Sequence, residues 1–453
     1  MVCRFGRIAF TVVMPCAAML LVSCGSGETG GSGAPFAFSS PGGFVEKAGS
    51  AIRPRWSTAE VQDIVPKHRG KFTFPSPYNT EVVRITAGED CRNTDCVFPV
   101  GYSYWRNINN HVGSDEMLIV LGLDRSRGGS GPTLFSFDKL NEVVTNRGPL
   151  FAPDHRLSSA SAAGWYFSAT RPTTLYVNEG SKMLRYDVLS HASETVFDVS
   201  EKFGDNREIL QMSSSYYDDV HAATLRVKGS ENSLGCVVYQ ESTGQLLHYP
   251  KAGQFDECQI DKSGRFLMVW EQIDKHNGID NRVIDLASGA EERRLDAPGV
   301  GSLGHHDMGF GYAVGRDHLN ALPNATVTWN LSPAVEGPVD HRDYNWDLAQ
   351  AQHISHTNAQ PNLPKEQQYA CGSNADRMTY AQNEIVCFKL NGSQTQLVVA
   401  PVMTDLDASG GRSDYDKTPK GNLDVTGQYF IWTTNLGGSR VDAFVVKVPG
   451  QLL

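Results

Sequence analysis

The sequence predicts an all-β fold, a seven-bladed β-propeller that is closed by an N-terminal strand. The first observation is composition: 44 glycines, 22 prolines and 40% hydrophobic residues in a chain of 453 are typical of a globular protein rich in turns. The second is a unit of about 50 residues with several short strands, which recurs seven times. The third is that no unit shows the 3.6-residue periodicity of a helical hairpin. Two stacked β-sandwiches with accidental spacing are the alternative.

The unit is clearest at the C-terminus. There a polar strand leads into an Asp-x-x-Gly turn at Asp424 and Gly427, and two apolar strands follow over residues 429–433 and 441–448. The last strand ends on an apolar and a polar residue before a turn. The same pair stands upstream at Phe137-Asp138, Tyr186-Asp187, Tyr239-Gln240, Ile284-Asp285, Trp329-Asn330 and Phe388-Lys389. Steps between 45 residues (240 to 285) and 59 residues (330 to 389) are typical of propeller blades with loop insertions.

The last unit lacks an outermost strand, because the chain ends soon after residue 448. Residues 81–86 alternate as a half-buried strand does, and we expect them to complete this unit and close the ring. The predicted organisation is a signal peptide over 1–23, a tether rich in Gly, Ser and Pro over 24–43, a lead-in segment with some helical character over 44–74, and the propeller over 75–453.

The N-terminus has the features of an export signal. Arg4 and Arg7 precede an apolar run over residues 8–22, which is too short to be a membrane-spanning helix. The four residues that end at Cys24 (Leu-Val-Ser-Cys) resemble the bacterial lipobox, which implies lipidation of Cys24; an ordinary cleaved signal is the alternative. Gly25 in place of Asp favours the outer membrane. The sequence therefore predicts an exported, membrane-anchored lipoprotein that faces the periplasm or the exterior.

The net charge of the chain limits the classes of partner that we expect it to bind. The formal net charge is −10, and it becomes −12 when residues 1–23 leave with two arginines and no acid. Binding to nucleic acid depends on Lys and Arg at phosphates, so an acidic exported protein is not expected to bind it. We expect a monomer whose partners are envelope proteins or a saccharide, besides the membrane reached through Cys24.

The cysteines predict disulfides. Three of the nine lie in or at the end of the signal, and six remain in a compartment that oxidises thiols. Each remaining cysteine has a near neighbour in sequence, and no Cys-x-x-Cys motif suggests a redox or metal site. We expect structural disulfides between Cys91 and Cys96, Cys236 and Cys258, and Cys371 and Cys387.

Two turns carry a resemblance to known propellers. Residues 261–267 (DKSGRFL) and 424–430 (DVTGQYF) resemble the Asp-x-x-Gly-(Arg or Gln)-aromatic-aliphatic turn of the Tol-type periplasmic propellers. The segments 304–309 (GHHDMG) and 353–356 (HISH) are similar to those of a bacterial lipoprotein group with such propellers. The resemblance covers about residues 75–453 and implies the fold rather than a function.

Histidines of the fifth and sixth units are the main candidates for chemistry. They fall on short polar strands just before an apolar strand, where a propeller lines its central channel. Imidazole together with carboxylate or amide groups suits Mn, Fe or Zn. A structural role at strand ends is the expectation, and one bound divalent metal ion is the alternative. The residues are His305, His306 and Asp307 in one unit, and Gln350, His353 and His356 in the next.

This pattern is similar to the oligogalacturonate lyases, seven-bladed propellers whose channel metal is held by a His of one blade and by a Gln and two His of the next. The resemblance implies His305 or His306 as the first ligand and Gln350, His353 and His356 as the others. The family separates its two His by one residue, whereas two residues separate His353 from His356. Residues three apart on a strand point to opposite faces unless a bulge intervenes.

Two further segments are polar enough to bind a ligand. The acidic loop over 405–416 offers carboxylates for Ca²⁺, but its spacing does not match a calcium loop, and a solvated loop is the expectation. Tyr217, Asp218 and His221 form a polar patch before a blade strand, where they either line the channel or end a connection.

The sequence therefore predicts an envelope protein that binds or scaffolds. The alternative is a metal-assisted carbohydrate lyase or hydrolase that uses the channel histidines. The sequence contains no Gly-x-Ser-x-Gly, His-Glu-x-x-His or P-loop motif that would indicate another chemistry.

Overall fold

The computed structural model describes residues 42–47, 53–274, 280–295, 302–318, 325–332, 340–345, 353–375 and 383–453. The strands within them form seven antiparallel sheets; in five of them neighbouring strands follow chain order, and in the other two N-terminal strands add to the edge of a C-terminal sheet. This is the predicted seven-bladed β-propeller. The predicted signal peptide, Cys24 and the tether up to residue 41 lie outside the described residues.

Blades 1 to 4 follow one another along the chain, each running from an innermost to an outermost strand. Blade 1 comprises Ile108–Asn109, Glu116–Leu123, Gly131–Asp138 and Val143–Pro149. Blade 2 comprises Tyr166–Phe167, Thr174–Glu179, Lys182–Asp187 and Ser193–Asp198. Blade 3 comprises Arg207–Ser214, Val220–Val227, Ser233–Gln240 and Gln245–Pro250. Blade 4 comprises Gln254–Ile260, Phe266–Gln272, Asp280–Asp285 and Glu291–Arg294.

Blades 5 to 7 complete the ring. Blade 5 comprises Ser302–Met308, Tyr312–His318, Ala325–Asn330 and Asp340–Asn345. Blade 6 comprises His353–Ser355, Tyr369–Ser373, Glu384–Lys389 and Thr395–Pro401, and blade 7 begins with Asn422–Leu423, Tyr429–Thr434 and Asp442–Lys447. The α-helices are Thr58–Ile64, Ser200–Phe203 and Asp414–Lys417, and the 3₁₀ helices are Gly88–Cys91, Arg125–Arg127, Lys365–Gln367 and Gly450–Leu452. Among the described residues, no helix is both long and apolar enough to cross a membrane.

The repeated apolar-polar pair of the sequence has one structural position. In every blade the pair ends the third strand, from Phe137-Asp138 in blade 1 to Val446-Lys447 in blade 7. The apolar member faces the core because strand residues alternate between the two faces of a sheet. Local patterning alone therefore located the same strand seven times.

The two ends of the chain close the ring, as predicted. The strand Glu81–Arg84 pairs antiparallel with Asp442–Lys447, with Val82 opposite Val446. This N-terminal strand forms the outer part of blade 7. Gly70–Thr73 adds a further strand outside it. Phe44–Lys47 pairs with Thr395–Pro401 and widens blade 6 to five strands. The N-terminal segments thus cover two blade edges that would otherwise expose unpaired backbone groups.

The three predicted disulfides are present. Cys91–Cys96 staples the segment before blade 1, and Cys371–Cys387 joins two paired strands within blade 6. Cys236–Cys258 links the third strand of blade 3 to the innermost strand of blade 4, with their Cα atoms 6.3 Å apart. This last disulfide connects neighbouring blades.

Candidate functional site

Three consecutive blades carry a β-bulge within the innermost strand. Gln211 in blade 3, Asp256 in blade 4 and His305 in blade 5 fall at these register shifts. Gln211 and His305 have positive φ values of 47° and 30°, which few residues other than glycine adopt. A bulge breaks the alternation of side chains along a strand and re-aims the residue it contains. The shifts lie between Leu210 and Ser213, Phe255 and Glu257, and Gly304 and Asp307.

The bulge in blade 5 brings one histidine of each predicted pair together. The rings of His305 and His353 stack with their centroids 4.2 Å apart and their planes 17° apart. Tyr102, from the segment that leads into blade 1, packs against both rings at centroid distances of 6.1 and 5.2 Å. Because imidazole lone pairs lie in the ring plane, the lone pairs of the two stacked rings lie in two nearly parallel planes.

His306 and His356 lie apart from this stack. His306 is buried edge-on against Trp270 at a centroid distance of 5.6 Å, and burial lowers its pKa to about 3. His356 follows the short strand of His353, and its Nε2 lies 2.7 Å from the hydroxyl of Tyr312. Burial also lowers the pKa of His356 to about 3. Both imidazoles are therefore neutral, and His356 serves to join two blades.

The other predicted ligands do not complete a metal centre among the described residues. Gln350 lies outside them. Within them, no group of three or more His, Cys, Asp or Glu side chains is arranged to hold a metal ion, and this includes the described acidic loop over 405–416.

Asp307 has a structural role, because hydrogen bonds and an ion pair hold its carboxylate. Its carboxylate accepts hydrogen bonds from the backbone N–H groups of Met308 at 2.7 Å and His356 at 2.6 Å. The buried ammonium of Lys262, from blade 4, lies 3.1 Å from the same carboxylate. Burial lowers the pKa of Lys262. Asp307 thus ties blades 4, 5 and 6 together.

The patch of Tyr217, Asp218 and His221 does not form one site. Tyr217 is 58% exposed in the turn after the innermost strand of blade 3, whereas Asp218 is buried and accepts a 2.5 Å hydrogen bond from Ser168. Burial raises the pKa of Asp218. The imidazole of His221 lies between Ser214 at 2.6 Å and Glu241 at 2.7 Å. Asp218 and His221 therefore connect strands, and Tyr217 is free to meet solvent.

The residues around Tyr102 form, together with the two stacked histidines, a cluster that the sequence did not single out as a whole. Trp105 packs edge-on against Tyr102 at 5.9 Å, and the hydroxyl of Tyr415 contacts that of Tyr102. Tyr415 belongs to the short helix Asp414–Lys417, between blades 6 and 7. We call Tyr102, Tyr104, Trp105, Glu257, His305, His353 and Tyr415 the mouth cluster.

Glu257 is the buried acid of the mouth cluster. It is 4% exposed and accepts hydrogen bonds from the hydroxyl of Tyr104 and, at 3.1 Å, from the amide of Gln259. Burial, followed by the negative charge of Asp256, raises the pKa of Glu257 to about 7. Glu257 can therefore hold a proton near neutral pH, when an ordinary glutamate is ionised.

Lys420 provides a cation beside the cluster. Its ammonium lies 3.8 Å from the centre of the Tyr415 ring and donates a hydrogen bond to the backbone carbonyl of Tyr415. Burial lowers the pKa of Lys420 to about 8. The ammonium is held mainly by an aromatic face and a carbonyl, with the carboxylate of Asp416 acting on it by charge.

A groove of about 360 Å³ adjoins the mouth cluster at Trp105. Its lining includes two aromatic residues, the half-buried Phe255 and Trp105, which is 7% exposed, together with two of the bulge residues, Gln211 and Asp256. The amide of Gln211 is oriented by the hydroxyl of Thr224, which donates to it at 2.7 Å. Asn178, Arg226, Glu231 and Ser233 add further polar groups to the lining.

A sequence signal for this region did exist. Tyr-Ser-Tyr-Trp over 102–105 stands just before the innermost strand of blade 1, and Asp256-Glu257 stands on that of blade 4. Applying the rule that selected the histidines to every unit would have selected these residues as well. That they meet follows only from closure of the ring.

The sheets define a seven-bladed β-propeller, and solved structures show the same fold. Oligogalacturonate lyase from Vibrio parahaemolyticus matches with a TM-score of 0.60 and 10% identity, over 91% of this chain and 100% of that one. An oligogalacturonate lyase in complex with manganese matches with a TM-score of 0.57 and 11% identity, over 86% and 98%. TolB from Acinetobacter baumannii matches with a TM-score of 0.37 and 11% identity, over 64% of each chain.

No protein-family model and no curated protein matches the sequence. The fold predicted from the resemblance to Tol-type propellers and oligogalacturonate lyases is confirmed. At these identities the likeness to the two oligogalacturonate lyases shows the fold alone.

Proposed function

We propose that the protein is an exported, membrane-anchored propeller that binds a saccharide at the mouth cluster and the adjoining groove. The observation that carries this proposal is the groove wall, where Trp105 and Phe255 stand beside the polar side chains of Gln211 and Asp256. The volume of about 360 Å³ falls within the range of small-molecule sites.

The groove suits a sugar for a physical reason. The C–H faces of a pyranose ring pack against aromatic rings, and its hydroxyls need donors and acceptors at the edge of the same surface. Gln211 offers an oriented amide, and Asp256 offers carboxylate acceptors. Aromatic walls with a few placed polar groups are typical of specific ligand sites.

The binding proposal is tested by screening the purified protein on an array of cell-wall and extracellular oligosaccharides, followed by calorimetry. We expect Tyr102→Ala to abolish binding, because Tyr102 supports both Trp105 and the histidine stack. Tyr217→Ala is the matched control, since Tyr217 is an exposed tyrosine in the turn beyond the innermost strand of blade 3. Envelope proteins that co-purify while no saccharide binds would favour a scaffold instead.

The proposed membrane anchoring is tested separately. We propose that Cys24 carries the lipid anchor, on the strength of the Leu-Val-Ser-Cys sequence that ends there. Metabolic labelling with a palmitate analogue and membrane fractionation should show a labelled, membrane-bound protein. Cys24→Ser should be unlabelled and released, and a labelled variant would contradict the anchor.

A metal-assisted carbohydrate lyase or hydrolase is the second candidate. It is favoured by the contact between His305 and His353 and by the likeness to an oligogalacturonate lyase in complex with manganese. Two stacked imidazoles are fewer ligands than the three or more protein groups that usually hold a catalytic metal, so the described residues do not by themselves fit one. Elemental analysis should therefore find less than one equivalent of metal. One equivalent that is lost in His305→Ala and His353→Ala, with unsaturated products from acidic oligosaccharides, would establish the enzyme.

A further inference from the structure

We infer that the saccharide taken by the groove carries protonated amino groups, and that Asp256 is the counter-ion that selects them. This inference rests on the proposed saccharide binding and names its ligand class. It follows from the charges along the groove wall, from the aromatic groups beside them and from the position of Asp256 on its strand.

Asp256 presents an uncompensated carboxylate. It is exposed on the bulge of the innermost strand of blade 4, and it forms no hydrogen bond or ion pair with any other residue that the structure describes. The backbone on either side is held in the ladder by Phe255, opposite Glu271, and by Glu257, opposite Trp270. A charged group on a fixed backbone, with no partner of its own, is positioned to receive an ionic ligand.

The other charges of the groove wall cancel. Arg226 is the one cation among the described lining residues, and its guanidinium lies 2.6 Å from Glu208 and 3.5 Å from Glu231. With Arg226 occupied by two carboxylates, Asp256 leaves the wall negative. An ammonium group gains a charge-assisted hydrogen bond there, which is stronger than a bond between neutral groups.

The aromatic rings favour a cation as well. Trp105 lines the groove and packs on Tyr102, and the electron-rich face of an aromatic ring attracts ammonium groups. The protein already uses this interaction within the same cluster, where the ammonium of Lys420 lies over the ring of Tyr415. Aromatic rings beside an unpaired carboxylate are a suitable environment for the amino group of a hexosamine.

The same charges disfavour acidic sugars. The carboxylate of a uronic acid would meet Asp256 in the groove, and like charges without a neutralising partner repel. The inference therefore predicts that the ligand is a saccharide but not an oligogalacturonate.

The test compares three tetrasaccharides by calorimetry near neutral pH, because burial raises the pKa of Asp256 and its carboxylate has to be ionised: a glucosamine tetramer, its fully N-acetylated form and a galacturonate tetramer. We expect the purified protein to bind the glucosamine tetramer about tenfold more tightly than the acetylated one, because one charge-assisted bond is gained. The galacturonate should bind most weakly. Asp256→Asn should bring the two hexosamine affinities together, while Asp154→Asn, which removes an exposed acid between blades 1 and 2, should leave the preference intact.

The outcomes distinguish the inference from the proposed function. If the protein binds the acetylated or the galacturonate tetramer as tightly as the glucosamine tetramer, the cationic selectivity is refuted and saccharide binding stands. Retention of the preference in Asp256→Asn would also refute the role of Asp256. If none of these tetramers binds and the oligosaccharide array is negative too, both the proposed function and the inference fail.

Discussion

Tyr104 donates a hydrogen bond to Glu257 and so connects the segment before blade 1 with the innermost strand of blade 4. The two residues are 153 positions apart in the chain. Their contact is buried. The ring of Tyr104 packs against Trp105, which lines the groove, and against Tyr102, which contacts the stacked histidines. The protonation state of Glu257 therefore bears on the stability of the whole mouth cluster.

The raised pKa of Glu257 predicts a pH dependence of unfolding. Because the folded state keeps the proton up to about pH 7 and an unfolded glutamate releases it near 4.5, the stabilisation is complete below pH 4.5 and is lost as pH rises through 7. The loss amounts to at most about 3 kcal/mol. Urea unfolding at a series of pH values should show Glu257→Gln falling less steeply over this window than the wild type. Glu201→Gln, on an exposed helix, should keep the wild-type slope, and an unchanged slope in Glu257→Gln would contradict the assignment.

Removing the buried acid at the ring closure should destabilise the fold strongly. Asp442 accepts hydrogen bonds from Thr86 at 2.9 Å and from Arg84, whose guanidinium is buried. Asp442→Ala leaves that guanidinium without its carboxylate, so we expect a loss of about 3–5 kcal/mol in urea unfolding. Glu116→Ala breaks the pair with Arg147, in which both side chains are 42% exposed, and should cost about 1 kcal/mol or less. Equal losses in the two variants would argue against closure through this contact.

The disulfide between blades 3 and 4 should contribute more than the one before blade 1. Cys236 and Cys258 are 22 positions apart and Cys91 and Cys96 only 5, so the first crosslink restricts the unfolded chain more. Replacing each pair by serine should lower the free energy of unfolding by about 3 and about 2 kcal/mol, respectively. Denaturant titrations of both double variants measure the difference, and the reverse order would show that native packing dominates the effect.

The bulge that aims His305 depends on a glycine in the neighbouring strand. A Cβ atom at Gly315 would lie 2.6 Å from the Cβ of His306 and 2.9 Å from the carbonyl oxygen of Gly304. Gly315→Ala should therefore shift the bulge, with a loss of about 1–3 kcal/mol in stability and weaker saccharide binding. Gly438→Ala is the control, because the nearest atom to its added Cβ lies 3.4 Å away. Wild-type stability and binding in Gly315→Ala would show that the bulge tolerates the added methyl group.

The architecture could be predicted because its signals are local. The apolar-polar pair that ends each third strand depends only on neighbouring residues, and the closing strand at Glu81–Arg84 shows the same alternation. The disulfides followed from short separations in a chain that its N-terminus predicts to be exported. None of these features required knowledge of which blades face each other.

The candidate site could be predicted only in part. The histidines were found on the innermost strands, but the alternation rule could not say that a bulge turns His305 towards His353. A positive φ at a histidine is decided by the surrounding packing and leaves no pattern in the sequence. His306 therefore lies against Trp270, although it is the neighbour of His305 in the chain.

The sequence by itself determined the seven blades, the strand that closes them and the three crosslinks, since each rests on periodicity or on short separations along the chain. The tertiary structure alone decided which side chains share the mouth. Tyr102, Glu257, His305, His353 and Tyr415 come from five distant segments. They meet because the closed ring brings separate blades and their connections together, and that is a property of the whole assembly of sheets.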